Sequence, residues 1–196
     1  MIRLPTENAA ARLAEIIKGE ASGMARFYVA LDGADEGAIK ALSAALAEKL
    51  SAFVIPTDAF YLPSRNLTPE RAAVPGGAFD YERFTREVAR PFLAKKLPEY
   101  GVYREAIRGT VERVKVPERE VYIVAGIYAL HPEIPDFYDL RIVLCGDPAD
   151  GSVATYLSAY MIEEFSDVLI SDDAPADDGE ENFSGFSLPF SFDGDA

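Results

Sequence analysis

FYVALDGADEGAIKALSAALAEKL, residues 27–50, is the stretch from which the architecture is read. It opens on FYVAL (27–31), a continuous apolar run of strand length. A strand buried on both faces has this pattern, because neither face has water to meet. DGADEG follows, and after it Ile39, Leu42, Leu46 and Leu50 recur at three- and four-residue spacing. That spacing lines one face of an α-helix. A buried strand therefore turns directly into an amphipathic helix.

The same grammar repeats outward. AFVIP (52–56), VYIVAG (121–126) and LRIVLC (140–145) are predicted as buried strands, with DVLI (167–170) as a fifth. Tyr81, Phe84, Val88 and Phe92 mark a second amphipathic helix with Asp80 as its N-cap, entered through the turn-rich VPGGAF (74–79). Residues 7–18 predict a short helix with Leu13, Ile16 and Ile17 on one face and Thr6 as N-cap. TVERVKV (110–116) alternates in part and predicts an edge strand or hairpin arm. There is no internal repeat. Short apolar strands separated by helices give an α/β fold class with an open, mostly parallel sheet. Such sheets bind ligands at the carboxyl ends of their strands. The loops to watch are therefore DGADEGAIK, TDAFYLP and AGIYALHP.

At 196 residues the chain suits one domain with an appended tail. No run approaches the roughly 20 apolar residues that cross a bilayer, and MIRLPTENAA lacks the basic start and apolar core of a secretory signal. A cytoplasmic protein with no membrane partner is expected. One cysteine, Cys145, excludes an internal disulfide, and one histidine, His131, leaves no His/Cys zinc cluster. The formal charge is −14; the 25 residues from Asp172 supply −8 of it and the other 171 supply −6. Nucleic acid is not expected as a partner, since neutralising phosphates requires clustered Lys and Arg.

The loops read in order resemble the bacterial uridine kinase-like branch of the P-loop nucleoside kinases, over roughly residues 27–171. The resemblance rests on VIPTDAFYLPSRNLTPERAAVPGGAFDYERFTREVARPFL (54–93), GIYALHP (126–132), YDLRIVLCGDP (138–148) and YLSAYMIEEFSDVLI (156–170). It implies a P-loop NTPase-like α/β/α fold and divides the chain into a helical extension (1–26), a kinase-like domain (27–171) and an acidic, Phe-containing tail (172–196). In that family the first loop is GxxxxGK[ST], whose backbone N–H groups, Lys and Ser/Thr hold phosphate and Mg²⁺. The matching residues here run from Gly33 through Gly37 to Ala38, Ile39 and Lys40, so the second glycine, the lysine and the Ser/Thr are Ala38, Ile39 and Lys40. Asp35 and Glu36 add two carboxylates. At an effective dielectric of 20, like charges about 4 Å apart repel by roughly 4 kcal/mol, more than the ~2 kcal/mol upper value of a helix N-terminus.

Two more family devices are missing. The Glu before Gly in the fourth-strand segment is Ala125, and no arginine-bearing lid follows YDLRIVLCGDP, since 142–196 contains no Lys or Arg. What the resemblance retains is substrate-side. Asp58 matches a general base for the nucleoside hydroxyl, or else caps loop amides. Phe60 and Tyr61 match an aromatic pair beside it, or else simply pack. Phe79 and Asp80 match a substrate-loop pair, with the N-cap as the other account of Asp80. Tyr103 matches a tyrosine whose partner Asp is Arg104 here. His131 matches a His-Pro pair and is expected to be structural.

The expected function is a kinase-derived binding or regulatory module with a residual nucleoside pocket and no cofactor. The alternative is an active ATP- and Mg-dependent nucleoside kinase. A homodimer and a protein partner for the tail, which carries Phe183, Phe186, Phe190 and Phe192, are further expectations. The tail is expected to fold back onto the groove left by the missing lid, with the protein partner as the alternative.

Overall fold

The computed structural model describes residues 1–104, 109–148 and 150–174, with the side chains at 103, 104 and 109–111 outside the description. In chain order the strands and helices are β1 (Ile2–Leu4), α1 (Ala9–Glu20), β2 (Phe27–Gly33), α2 (Glu36–Leu50) and β3 (Phe53–Pro56). Then come α3 (Pro69–Ala72), α4 (Tyr81–Phe84), α5 (Arg90–Leu93), β4 (Glu99–Arg104) and β5 (Gly109–Lys115). The last are β6 (Val121–Ala125), β7 (Leu140–Leu144), α6 (Gly151–Ala159) and β8 (Val168–Ile170).

Six strands form one parallel sheet in the order β1-β8-β7-β2-β6-β3. The expected mostly parallel α/β sheet is present. β2 lies inside it, between β6 and β7, and all seven of its residues are buried. β6 is equally buried, as its uniformly apolar sequence requires. β3 departs from expectation: it is a sheet edge, and only Ile55 is fully buried. An apolar run does not distinguish an inner strand from an edge strand.

The first 26 residues join the same core. Ile2–Leu4 pairs with Val168–Ile170 as the sixth strand, and Leu13 and Ile17 of α1 are fully buried, with α1 packed on α2. α1 starts at Ala9 and not at residue 7. Its cap is Asn8, in the left-handed conformation at φ 62°, and Thr6 contributes only a carbonyl to Ala9. The second predicted helix is α4 and α5 joined by a π-helical turn at Thr85–Ala89. Pro91 follows this turn and has no N–H to return to it, so the regular ladder is interrupted there. TVERVKV forms a hairpin arm, with β5 antiparallel to β4 outside the main sheet.

Candidate functional site

The carboxyl end of β2 reaches α2 through only two residues, Ala34 and Asp35. Two contacts hold the turn this tight. Ala34 N–H donates to the Leu144 carbonyl at 3.3 Å. At Gly33 a Cβ would collide with that same carbonyl, so β7 can approach only a glycine. The helix then begins at once. Asp35 is its N-cap, and Oδ1 accepts the Ala38 N–H at 2.9 Å. The first-turn amide that would hold an anion is thus bonded to a carboxylate of the chain itself. Ile39, at the position of the family lysine, is buried in the core at 1% exposure.

Beside this turn a cleft of about 370 Å³ opens between α2, β3 and the end of β6, with Glu36, Lys40, Ser43, Asp58, Ala125 and Gly126 in its lining. Lys40 stands one helical turn beyond Glu36 and shares the cleft with it. Burial, and then the charge of Asp58, raise the Glu36 carboxyl above its ordinary range, while Lys40 pulls it back. Asp58 is exposed on a 3₁₀ turn, Thr57–Phe60. That turn is anchored from below: Thr57 Oγ1 donates to the Ile127 carbonyl at 2.9 Å, and a Cβ on Gly126, at φ 138°, would strike the Thr57 hydroxyl. The arrangement offers two carboxylates, one ammonium group and hydroxyls. It suits a polar ligand better than a polyanion.

The other expected site residues scatter. Phe60 and Phe79 are fully buried, each packed on Phe84, and neither lines the cleft. Tyr61 is half-buried against Tyr128 with its phenol pushed up, first by burial and then by Glu36. Asp80 caps α4 by accepting the Arg83 N–H at 3.0 Å. Tyr103 and Arg104 have backbones in β4, but their side chains lie outside the described residues, as does residue 175 onward of the tail. Within 54–93 the conspicuous polar residues serve as scaffold. Arg83 donates to the Ala59 carbonyl at 2.6 Å and the Gly101 carbonyl at 2.8 Å, with its guanidinium 4.5 Å from the Phe60 ring centre. Arg71 donates to the Gly77 and Phe79 carbonyls and pairs with Glu82 at 2.8 Å.

Sequence reasoning missed the densest polar feature. Asp32, in β2, is 0% exposed and accepts four hydrogen bonds, from the N–H groups of Gly33 (2.7 Å), Tyr128 (3.2 Å) and Leu130 (2.9 Å) and from the Tyr156 hydroxyl (2.7 Å). Burial pushes its carboxyl up to about 6, against the pull of those donors. The network ties β2, the loop after β6 and α6 together at the carboxyl edge of the sheet. One signal was available: a carboxylate directly continuing an apolar strand run. His131 lies alongside, stacked on Tyr81 at 4.8 Å and on Tyr156 at 6.0 Å. Its Nδ1 accepts the Glu133 N–H at 3.2 Å. Burial lowers it to about 4, with the Pro75 backbone opposing. Among the described residues no group of three or more His, Cys, Asp or Glu side chains could hold a metal, and no helix is long and apolar enough to cross a membrane.

No protein-family model and no curated protein matches this sequence. Solved structures do. A possible uridine kinase from Bacillus stearothermophilus superposes with a TM-score of 0.69 at 15% identity, over 84% of this chain and 98% of that one. A candidate fructose transport system kinase from Silicibacter sp. TM1040 gives 0.54 at 26% identity, over 80% and 82%. With β2 inside a parallel sheet and turning straight into α2, the chain has the α/β fold of these P-loop kinase neighbours.

Proposed function

We propose that this chain is a uridine kinase-like protein that has lost ordinary ATP-dependent phosphotransfer and serves as a binding or regulatory module, with a nucleoside-sized pocket at Glu36, Lys40 and Asp58. The observation that carries the reading is the bond from Ala38 N–H to the Asp35 carboxylate. A phosphate entering there has to displace an internal anion and then sit against Asp35 and Glu36. No lysine side chain replaces Ile39, which is in the core. Ala125 offers no carboxylate for a Mg²⁺ shell. The connection from β7 to β8 runs through α6 and has no Lys or Arg to neutralise developing charge. The residues present do not fit a Mg-triphosphate.

Titration calorimetry tests this directly. Mg·ATP is expected to show no binding below millimolar concentration, while a nucleoside or free sugar retains measurable affinity. Micromolar Mg·ATP binding overturns the proposal. A second reading, an active nucleoside or sugar kinase, is favoured by one observation: Lys40 lines the same cleft as Asp58. It requires ADP release on a panel of nucleosides and hexoses, abolished by Lys40→Ala; a silent panel removes it. A cytoplasmic location, a homodimer and the lack of a nucleic-acid partner stay within the proposal.

A further inference from the structure

Charge is segregated along this chain. Residues 83–119 hold ten Lys and Arg against five Asp and Glu, whereas 120–196 hold one Arg against 17 acids. Within the basic segment, residues 93–97 are all exposed, including Leu93 at 49% and Leu97 at 38%. The turn that displays them is fixed. Lys95 takes a positive φ of 58° as α5 ends, and Lys96 N–H donates to the Pro91 carbonyl at 2.8 Å. Lys115 is brought alongside, because Val116 N–H donates to the Pro98 carbonyl at 3.0 Å. Exposed Arg90 completes the group. Two acids face it, Glu99 across the strand pair from Lys115 and Asp139 within reach of Lys95, but Glu99 also pairs with Arg113 at 2.8 Å, and Glu118 with Arg26 at 2.9 Å, so the cations outnumber the acids left to them. Two leucines framed by four cations stand on an otherwise acidic molecule.

We propose that this patch docks the chain's own segment 177–195. That segment carries six Asp and Glu, no Lys or Arg, and Phe183, Phe186, Phe190 and Phe192, so it supplies both complements at once. Reach is sufficient. The nine residues from 175 to 183 extend to about 30 Å and the 18 to Phe192 to about 60 Å, against a radius of gyration of roughly 16 Å for a folded unit of this size. Tethering also sets a local concentration on the order of millimolar, whereas a free polyanion is repelled by the net charge of −14. The competing groove, bounded by Pro148, Leu157 and Met161, includes Glu163 and Glu164. No cation lies between 142 and 196, and Arg3, which acts on the neighbouring Cys145, is set against both glutamates, so that groove offers the segment less than the patch does.

Zero-length carbodiimide coupling of the full chain at low salt, mapped by mass spectrometry, decides the matter. Three of the six lysines (Lys95, Lys96, Lys115) lie in the patch, and Lys18, Lys40 and Lys49 are internal controls. In the monomer fraction, amide links from Asp177, Asp178, Glu180, Glu181, Asp193 and Asp195 to the patch lysines are expected to exceed links to the controls by about fivefold. They should fall several-fold at 0.5 M NaCl, where the screening length is only a few Å. In the double variant Lys95→Glu/Lys96→Glu, whose changes are on exposed residues, links to Lys115 are expected to drop by a similar factor. Links spread evenly over all six lysines, concentrated on Lys40, or found only in covalent dimers overturn the proposal, as does an unchanged Lys115 yield in the variant.

Discussion

Asp32 and His131 are buried titratable groups of opposite type, and each leaves a distinct mark on stability. The Asp32 carboxyl is raised in the folded state to about 6 from 3.8. The folded state therefore binds its proton more tightly, and its contribution is full below about 3.8 and lost as pH rises through about 6. His131 is lowered to about 4 from 6.5. Its contribution is full above about 6.5 and lost as pH falls towards 4. The two slopes oppose each other between about 4 and 6, so the intact protein is expected to show a flattened stability profile there. His131→Asn, which keeps an acceptor for the Glu133 N–H, should expose the falling Asp32 limb in urea unfolding across that range; a profile parallel to the parent's contradicts the assignment. Tyr156→Phe removes the hydroxyl donor from Asp32 Oδ2. A buried carboxylate losing one donor costs about 1–3 kcal/mol. The loss should be larger at pH 7, where Asp32 is charged, than at pH 5; equal losses at both would show that the hydroxyl serves packing alone.

At the scale of elements, the two-residue turn from β2 to α2 governs the site. Asp35→Ala deletes the cap and is expected to cost about 0.5–2 kcal/mol, read by chemical denaturation. It also frees the Ala38 amide, so inorganic phosphate should raise the melting temperature of the variant more than that of the parent. An equal response in both would mean that the cap does not guard an anion site. The 3₁₀ turn carrying Asp58 depends on two outside supports, the Arg83 guanidinium on the Ala59 carbonyl and the space that Gly126 leaves for Thr57. Gly126→Ala forces the turn aside, and overpacking of this kind costs about 1–3 kcal/mol. It should also weaken any ligand held by Asp58, whereas a surface change such as Glu48→Ala should alter neither.

At the scale of the whole molecule, the acidic balance has a consequence of its own. With a net −14, self-repulsion opposes compaction and salt screens it, so the melting temperature is expected to rise between 10 and 200 mM NaCl. A fall across that range would mean that local ion pairs such as Arg71–Glu82 outweigh the overall field.

The chain's own letters settled the strands at 27–31, 121–126, 140–145 and 167–170, the helix on Ile39 and Leu46, the Asp80 cap and the parallel α/β class. Each of these is a local pattern of apolar spacing or turn chemistry that leaves few alternatives. The placement of Asp58 on the turn after β3 and of Lys40 at the start of α2 was legible for the same reason. Four other features were not: β3 as an edge, Ile2–Leu4 as a sixth strand, the burial of Phe79 away from the cleft, and the Asp32–Tyr156 bond across 124 residues. Each depends on which segments become neighbours in space. Burial, which raises the Asp32 carboxyl and lowers His131, is a property of the packed surroundings and is written in no single stretch of chain.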